Sequence, residues 1–177
     1  MGKICVLRIG HRIGRDQRIT THVFLVARAF GAEEGILCGD EDDSVLRGIA
    51  RVSDLWGGKF GVKYEKSWKS FLKKRKDDGW KVAHLTMYGE EMVNFEKVKK
   101  ENGNCVVVVG AGKVPTELYH MADLNLSVTN QPHSEVAALA IFLDRYFGGK
   151  EMLKKFDGKL QITPNTCGKV VVHGENR

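Results

Sequence analysis

Short runs of consecutive apolar residues alternate along the chain with stretches whose apolar positions recur at helical spacing, the pattern of strands and helices in turn. Strands are predicted at 3–9 (KICVLRI), 35–39 (GILCG), 59–64 (KFGVKY), 81–87 (KVAHLTM), 105–110 (CVVVVG) and 124–128 (LNLSV). Helices are predicted between them. The first covers 21–30 behind Thr20 and Thr21 and closes on Gly31; the second covers 44–56 behind the acidic residues Asp40 to Asp43, which suit a helix N-terminus. The spacing adds helices over 67–76, with Trp68, Phe71 and Leu72 on its buried side, over 94–102, over 115–122 with Pro115 at its first position, and over 134–147. After Gly148 and Gly149 the alternation stops, and a short helix over 151–156 precedes two strand-like runs, LQIT and KVVVH, joined by PNTCG as a hairpin. Alternation of this kind predicts an α/β fold with a mainly parallel sheet flanked by helices over residues 1–149. Residues 150–177 then form a C-terminal extension, short helix plus β-hairpin, of the same domain.

Composition narrows the class without naming a function. The 177 residues, 28% charged and 42% hydrophobic, suffice for one domain with a full core and argue against disorder. No apolar run reaches the roughly 20 residues of a membrane-spanning helix, and MGKICVLRIG lacks a signal peptide's long apolar core, so a cytoplasmic location is predicted. A net charge of +6 favours a polyanionic partner. The four cysteines, Cys5, Cys38, Cys105 and Cys167, form no C-x-x-C pair, and the six histidines show no zinc-ligand spacing, so no metal is expected. The cysteine spacing leaves a disulfide open.

Candidate chemistry gathers in loops. Asn130 to Ala140 (NQPHSEVAALA) places a polar loop between a short strand and an apolar helix for which Ser134 is the N-cap. That corner is either a ligand-binding turn, of the kind open α/β sheets set at strand carboxyl ends, or a well-capped core helix. Gly110 to Pro115 ends the most sheet-like strand in a Gly-rich corner. It fits neither a dinucleotide fingerprint, since Pro115 stands where Gly is needed, nor a phosphate-cradling P-loop. It suits a small cofactor held by main-chain groups, or an ordinary turn. His84 to Gly89 ends a third strand with polar groups and a glycine, so three loops could converge on one site, while His84 and Met87 taken singly read as structural. Arg8, His11, Arg12, Arg15, Asp16 and Arg18 crowd the first loop, where guanidinium forks suit phosphate oxygens. Lys73 to Lys76 extend the basic character.

Taken together, RxGHRxxRDxRxTTHVxLxARAFGA from Arg8, HLTMYG from His84, GAxKVP from Gly110 and NQPHSEVAALA from Asn130 resemble the archaeal tRNA cytidine 2'-O-methyltransferase family of the SPOUT class, which acts on cytidine 56 in the TΨC loop. The resemblance spans nearly the whole chain in order and spacing. It implies a SPOUT-type α/β knot, a deep trefoil knot in the C-terminal half, a homodimer, tRNA as partner and S-adenosylmethionine as methyl donor. By motif, Leu85, Gly110, Ala111, Gly112, Lys113, Val114, Val128, Thr129, Asn130, Gln131, Pro132, His133, Ser134 and Glu135 would line the donor pocket. Similar sequences commonly carry Glu where this chain has Gly112. An N-terminal arginine is implied near the ribose 2'-hydroxyl, where a guanidinium serves better for orientation and charge stabilisation than as a base. Arg12, Arg15 and Arg18 are the candidates, with preference to Arg15. A non-catalytic RNA-binding or tRNA-chaperoning module is the alternative.

Overall fold

The central apolar runs become strands because helices cover both of their faces. The strands are Ile4–His11 (β1), Glu34–Gly39 (β2), Gly61–Tyr64 (β3), Lys81–Glu91 (β4), Cys105–Gly110 (β5) and Leu124–Ser127 (β6). They form one sheet in the order β3-β2-β1-β5-β4-β6, and every pairing in it is parallel. This computed structural model describes residues 2–92 and 103–174, so the helix expected over 94–102 lies outside the described residues. Alternation along β1 sends Ile4 and Val6 to one face and Cys5, Leu7 and Ile9 to the other, each within its own core cluster. A strand covered twice reads as an unbroken apolar run rather than an alternating one.

Gln17–Ala29 (α1), Asp43–Trp56 (α2) and Glu135–Phe147 (α5) cover the first face; Trp68–Asp77 (α3) and Thr116–Met121 (α4) cover the second. From β1 to β3 the chain steps outward with α1 and α2 on one face; from β3 to β4 and from β5 to β6 it steps the other way with α3 and α4 on the opposite face. Reversing direction and face together is what right-handed crossovers require. β1 and β5 lie side by side, and their following loops depart in opposite directions.

Local chemistry sets the helix ends. Asp42 caps α2 by accepting from Ser44 N and Val45 N, Ser67 caps α3 through Ser70 N, and Ser134 caps α5 through Val136 N. Gly148 ends α5 in the left-handed conformation. The first helix starts at Gln17 rather than Thr21, its opening turn closed by Thr20 N to Asp16 O at 2.8 Å. That turn is polar, so no apolar period announced it. Residues 150–153 form a 3-10 turn instead of the predicted helix over 151–156, with Met152 and Leu153 exposed.

The largest departure concerns β4, which runs to Glu91 and interrupts its pairing with β6. Leu85 and Glu90 both oppose Leu126, so residues 86–89 loop out of the ladder. Gly89 permits this: a Cβ there would lie 2.6 Å from the backbone of Asn125. The Asn130 amide then ties the loop down, donating to Met87 O at 2.8 Å and to Gly89 O at 3.2 Å. The connection from β4 to β5, on which the deep trefoil knot expected of the class depends, lies outside the described residues. Leu160–Thr163 (β7) and Val170–His173 (β8) form a separate antiparallel hairpin. It is fastened to α2 by Lys159 and Asp54 at 2.7 Å, while Arg28 of α1 stacks over the Phe156 ring at 4.9 Å.

Candidate active site

Opposite departure of the β1 and β5 loops leaves a crevice at the carboxyl edge of the sheet, where open α/β folds hold ligands. Two hollows open there, separated by the loop that follows β5. The first, about 730 Å³, lies between the ends of β4 and β5 and the start of α5; the second, about 530 Å³, lies over the ends of β1 and β2.

Leu85, Val114 and Ala138 give the first hollow apolar lining, Gly110 to Lys113 line it from the β5 loop, and Thr86, Thr116, Tyr119 and His133 add polar groups. Several of these side chains are fixed by one another. His84 Nδ1 donates to Asn125 Oδ1 at 2.9 Å, the Asn125 amide donates to Tyr119 O at 2.9 Å, and the Tyr119 hydroxyl meets Thr86 Oγ1 at 3.1 Å. The Tyr119 ring stands edge-on to His84, centroids 4.9 Å apart. Burial holds the His84 imidazole below its ordinary range, against the opposing pull of the Asn125 hydrogen bond.

Arg8 supports this hollow from beneath. It takes the same face of β1 as Ile4 and Val6, is wholly buried between α1 and α5, and offers nothing to solvent. Its guanidinium donates to Gly110 O at 2.5 Å and to Glu135 Oε1 at 2.8 Å, clamping the β5 loop to the first turn of α5. Burial lowers its pKa, and the Glu135 charge works against that fall. Its Nε also faces Thr20 Oγ1 at 3.5 Å, whose hydroxyl meets His11 Nδ1 at 2.9 Å, and His11 Nε2 donates to Asp42 Oδ2 at 3.2 Å. Burial raises the Asp42 carboxyl, but hydrogen bonds from Ser44, Val45 and His11 outweigh it and hold the group below its usual value. One hydrogen-bonded chain thus runs from the β5 loop to the cap of α2.

The other arginines of this segment behave differently. Arg12 is exposed but held, its Nε 3.0 Å from Asp16 Oδ2 and its Nη2 3.4 Å from Ala111 O on the wall between the hollows. Desolvation raises the Asp16 carboxyl, and Arg12, with Arg15 beyond it, more than reverses this. Arg15 is 70% exposed with its Nε 3.8 Å from Asp16 Oδ1, and Arg18 is exposed. Geometry therefore brings Arg12, rather than the preferred Arg15, to the cleft. Arg8 is withdrawn from any phosphate by its burial.

Of the residues expected around the donor, Leu85, Gly110, Ala111, Gly112, Lys113, Val114, His133 and Glu135 line the first hollow. Val128 packs against the core, Asn130 braces the 86–89 loop, Ser134 caps α5, and Thr129, Gln131 and Pro132 are exposed beside the hollow without lining it. Thr86 and Tyr88 line it from the third-strand segment His84 to Gly89, and Ala138 from the segment Asn130 to Ala140; Met87 lines it rather than packing in the core, and Thr116 and Tyr119 line it without any sequence signal. All four cysteines are free, and burial pushes the Cys38 and Cys105 thiols up to about 12. Among the described residues no helix is long and apolar enough to cross a membrane.

Comparison with known proteins completes the picture. The fold is similar to a TrmH/SpoU tRNA modifying enzyme of A. aeolicus, with TM-score 0.62 at 19% identity over 88% of this chain and 80% of that one. It is also similar to the SpoU methyltransferase AviRb of Streptomyces viridochromogenes, solved with AdoMet, with TM-score 0.61 at 14% identity over 84% and 58%. A tRNA (cytidine(56)-2'-O)-methyltransferase of Methanosphaera stadtmanae is 47% identical over 97% of this chain and 99% of its own length. The enzyme of that name from Methanothrix thermoacetophila is 51% identical over 96% and 97%. With its SPOUT fold, these relatives, and residues 56–172 matching the family described as tRNA ribose 2'-O-methyltransferase, aTrm56, the chain belongs to that family.

Proposed function

We infer that this chain transfers a methyl group to the ribose 2'-oxygen of cytidine 56 in tRNA, using S-adenosylmethionine as donor and working as a cytoplasmic homodimer. The observation that carries this reading is the first hollow, lined by Gly110 to Lys113 and braced by the buried Arg8 paired with Glu135, in a chain of this family. The residues fit the donor. Leu85, Val114 and Ala138 offer an apolar slot for an adenine, while the backbone beside Gly110 and the polar edges at Thr86 and His133 suit its hydrogen-bonding groups. Bound there, the donor would supply a sulfonium-activated methyl group.

This chain's own residues then have to position and stabilise. The Arg8 clamp fixes the spacing between the β5 loop and α5, and so the width of the slot. Arg12, held by Asp16 and touching the wall at Ala111, is placed to orient a ribose and offset charge as the 2'-oxygen loses its proton. A guanidinium in that position donates hydrogen bonds and takes no proton, so the proton leaves to another group or to water. Val128 to Ser134 would close over the donor as the outer rim, and residues 150–174 extend the same domain.

The test is transfer of labelled methyl from S-adenosylmethionine to an unmodified tRNA transcript, followed by nucleoside analysis. Label on the 2'-oxygen of cytidine 56 is expected. Label on a base, or tRNA binding with no donor binding by calorimetry, rejects the reading, the latter in favour of a non-catalytic RNA-binding module.

A further inference from the structure

The second hollow enters the reading above only through Arg12, and it shares the wall Ala111 to Val114 with the first. Its volume of about 530 Å³ falls inside the ~300–1,000 Å³ range of small-ligand sites. It occupies the switch point itself, with Ile9 to Arg12 from the end of β1 on one side and the β5 loop on the other. Lys66, from the connection between β3 and α3, and Trp68, the first residue of α3, close it. Helical spacing puts Trp68 on the buried side of α3, and its half-buried indole also forms a wall of this hollow.

The charge here is one-sided. Arg12, Lys66 and Lys113 line the hollow, and no Asp or Glu stands among its lining residues. Arg12 already has Asp16, but Lys66 and Lys113 form no ion pair among the described residues. An aromatic plane beside uncompensated cations is the chemistry that takes a nucleotide, the base stacking and the phosphate meeting the charges. Arg12 and Lys66, which do not line the first hollow, disfavour the methyl donor here, since it is a sulfonium cation. The wall toward the first hollow is thin, since Ala111 contributes one methyl and Gly112, at φ 155°, no side chain.

We propose that this second hollow receives the nucleotide to be methylated, its base against Trp68, its phosphate drawn by Lys66 and Lys113, and its ribose turned to the Ala111–Gly112 wall beside Arg12. The proposal rests on the methyltransferase reading, and its test separates the two. A tRNA transcript carrying 4-thiouridine at position 56 is irradiated with the full-length protein, and the crosslinked peptide is mapped by mass spectrometry. Crosslinks to the segment 66–68 or to 10–12 are expected, and crosslinks confined to the C-terminal hairpin or to the exposed side of α3 overturn the proposal. Crosslinking works without turnover, so a protein that methylates nothing would refute the activity while leaving this question answerable.

Kinetics give the second arm. Trp68→Ala raises the KM for tRNA about tenfold through lost stacking, while donor affinity by calorimetry stays within about twofold and Trp68→Phe restores most of the loss. Lys66→Glu, at an exposed position, raises the same KM and decides the matter if Trp68→Ala does not fold. An unchanged KM in the folded Lys66→Glu protein overturns the proposal.

Discussion

The carboxyl edge of the sheet and the C-terminal hairpin break opposite rules. At the edge, a guanidinium, an imidazole and a carboxylate are buried: Arg8, His11 and Asp42 are each almost inaccessible. In the hairpin, apolar side chains are exposed, Ile162 at 68% and Val171 at 49%. The buried groups are satisfied one by one, through Gly110 O, Glu135, Thr20 and Ser44, because a polar group removed from water without a partner costs stability. The hairpin keeps its shape through its antiparallel ladder and a few attachments to α1 and α2. One region fixes side-chain positions around a cleft; the other is an appendage that the core tolerates.

The contrast predicts unequal responses. The largest should follow Glu135→Ala, which leaves the wholly buried Arg8 charge without its counterion and should cost about 3–5 kcal/mol in denaturant unfolding. Arg8→Met should cost less, about 1–3 kcal/mol, because the carboxylate left behind is 29% exposed and can reach water. Equal losses would show that the pair's burial is not what matters. Arg12→Ala should lower kcat about 100-fold while donor affinity is retained, since the lost group acts on the reacting ribose. Arg15→Ala, at an exposed site, should leave kcat within about twofold. A larger effect at Arg15 than at Arg12 would reverse the geometric assignment.

A smaller effect concerns pH. Folding lowers the His84 pKa, so as pH falls the unfolded chain takes up the proton first, near the ordinary value of 6.5. Melting temperature should therefore begin to drop below about pH 6.5, and the step should end once the pH has passed the lower folded value. His84→Gln should remove that step. A second descent should remain, because Asp16 and Asp42, held below 3.8 in the folded state, contribute stability above that value and lose it as pH falls further. The smallest effect belongs to the hairpin. Lys159→Ala breaks an ion pair exposed on both sides and should cost less than about 1 kcal/mol while leaving both pH steps in place.

Much of the framework is legible in local pattern. Both-face burial made β1, β2 and β5 unbroken apolar runs, and the caps at Ser134 and Gly148 lie where residue type alone puts them. The interruption of β4 at 86–89 is not legible, because it depends on Asn130 reaching back and on Gly89 lying against the backbone of Asn125. Arg8 was grouped with the phosphate-facing arginines by proximity in sequence. Strand parity was the available signal, since Arg8 shares the face of Ile4 and Val6 while the arginines after the strand do not.

From the chain alone came the alternation of strands and helices, the apolar runs that must be covered twice, the capping residues and the loops rich in glycine and polar groups. These follow from periods and propensities that act over a few neighbouring residues. Folding in three dimensions decided which loops meet, and it separated Arg8 as a buried clamp from Arg12 at the cleft and Arg15 in solvent. It also set Trp68 and Lys66 beside the β5 loop. Those outcomes depend on strand order and on the direction each crossover takes, which join residues far apart in the chain and leave no local period to read.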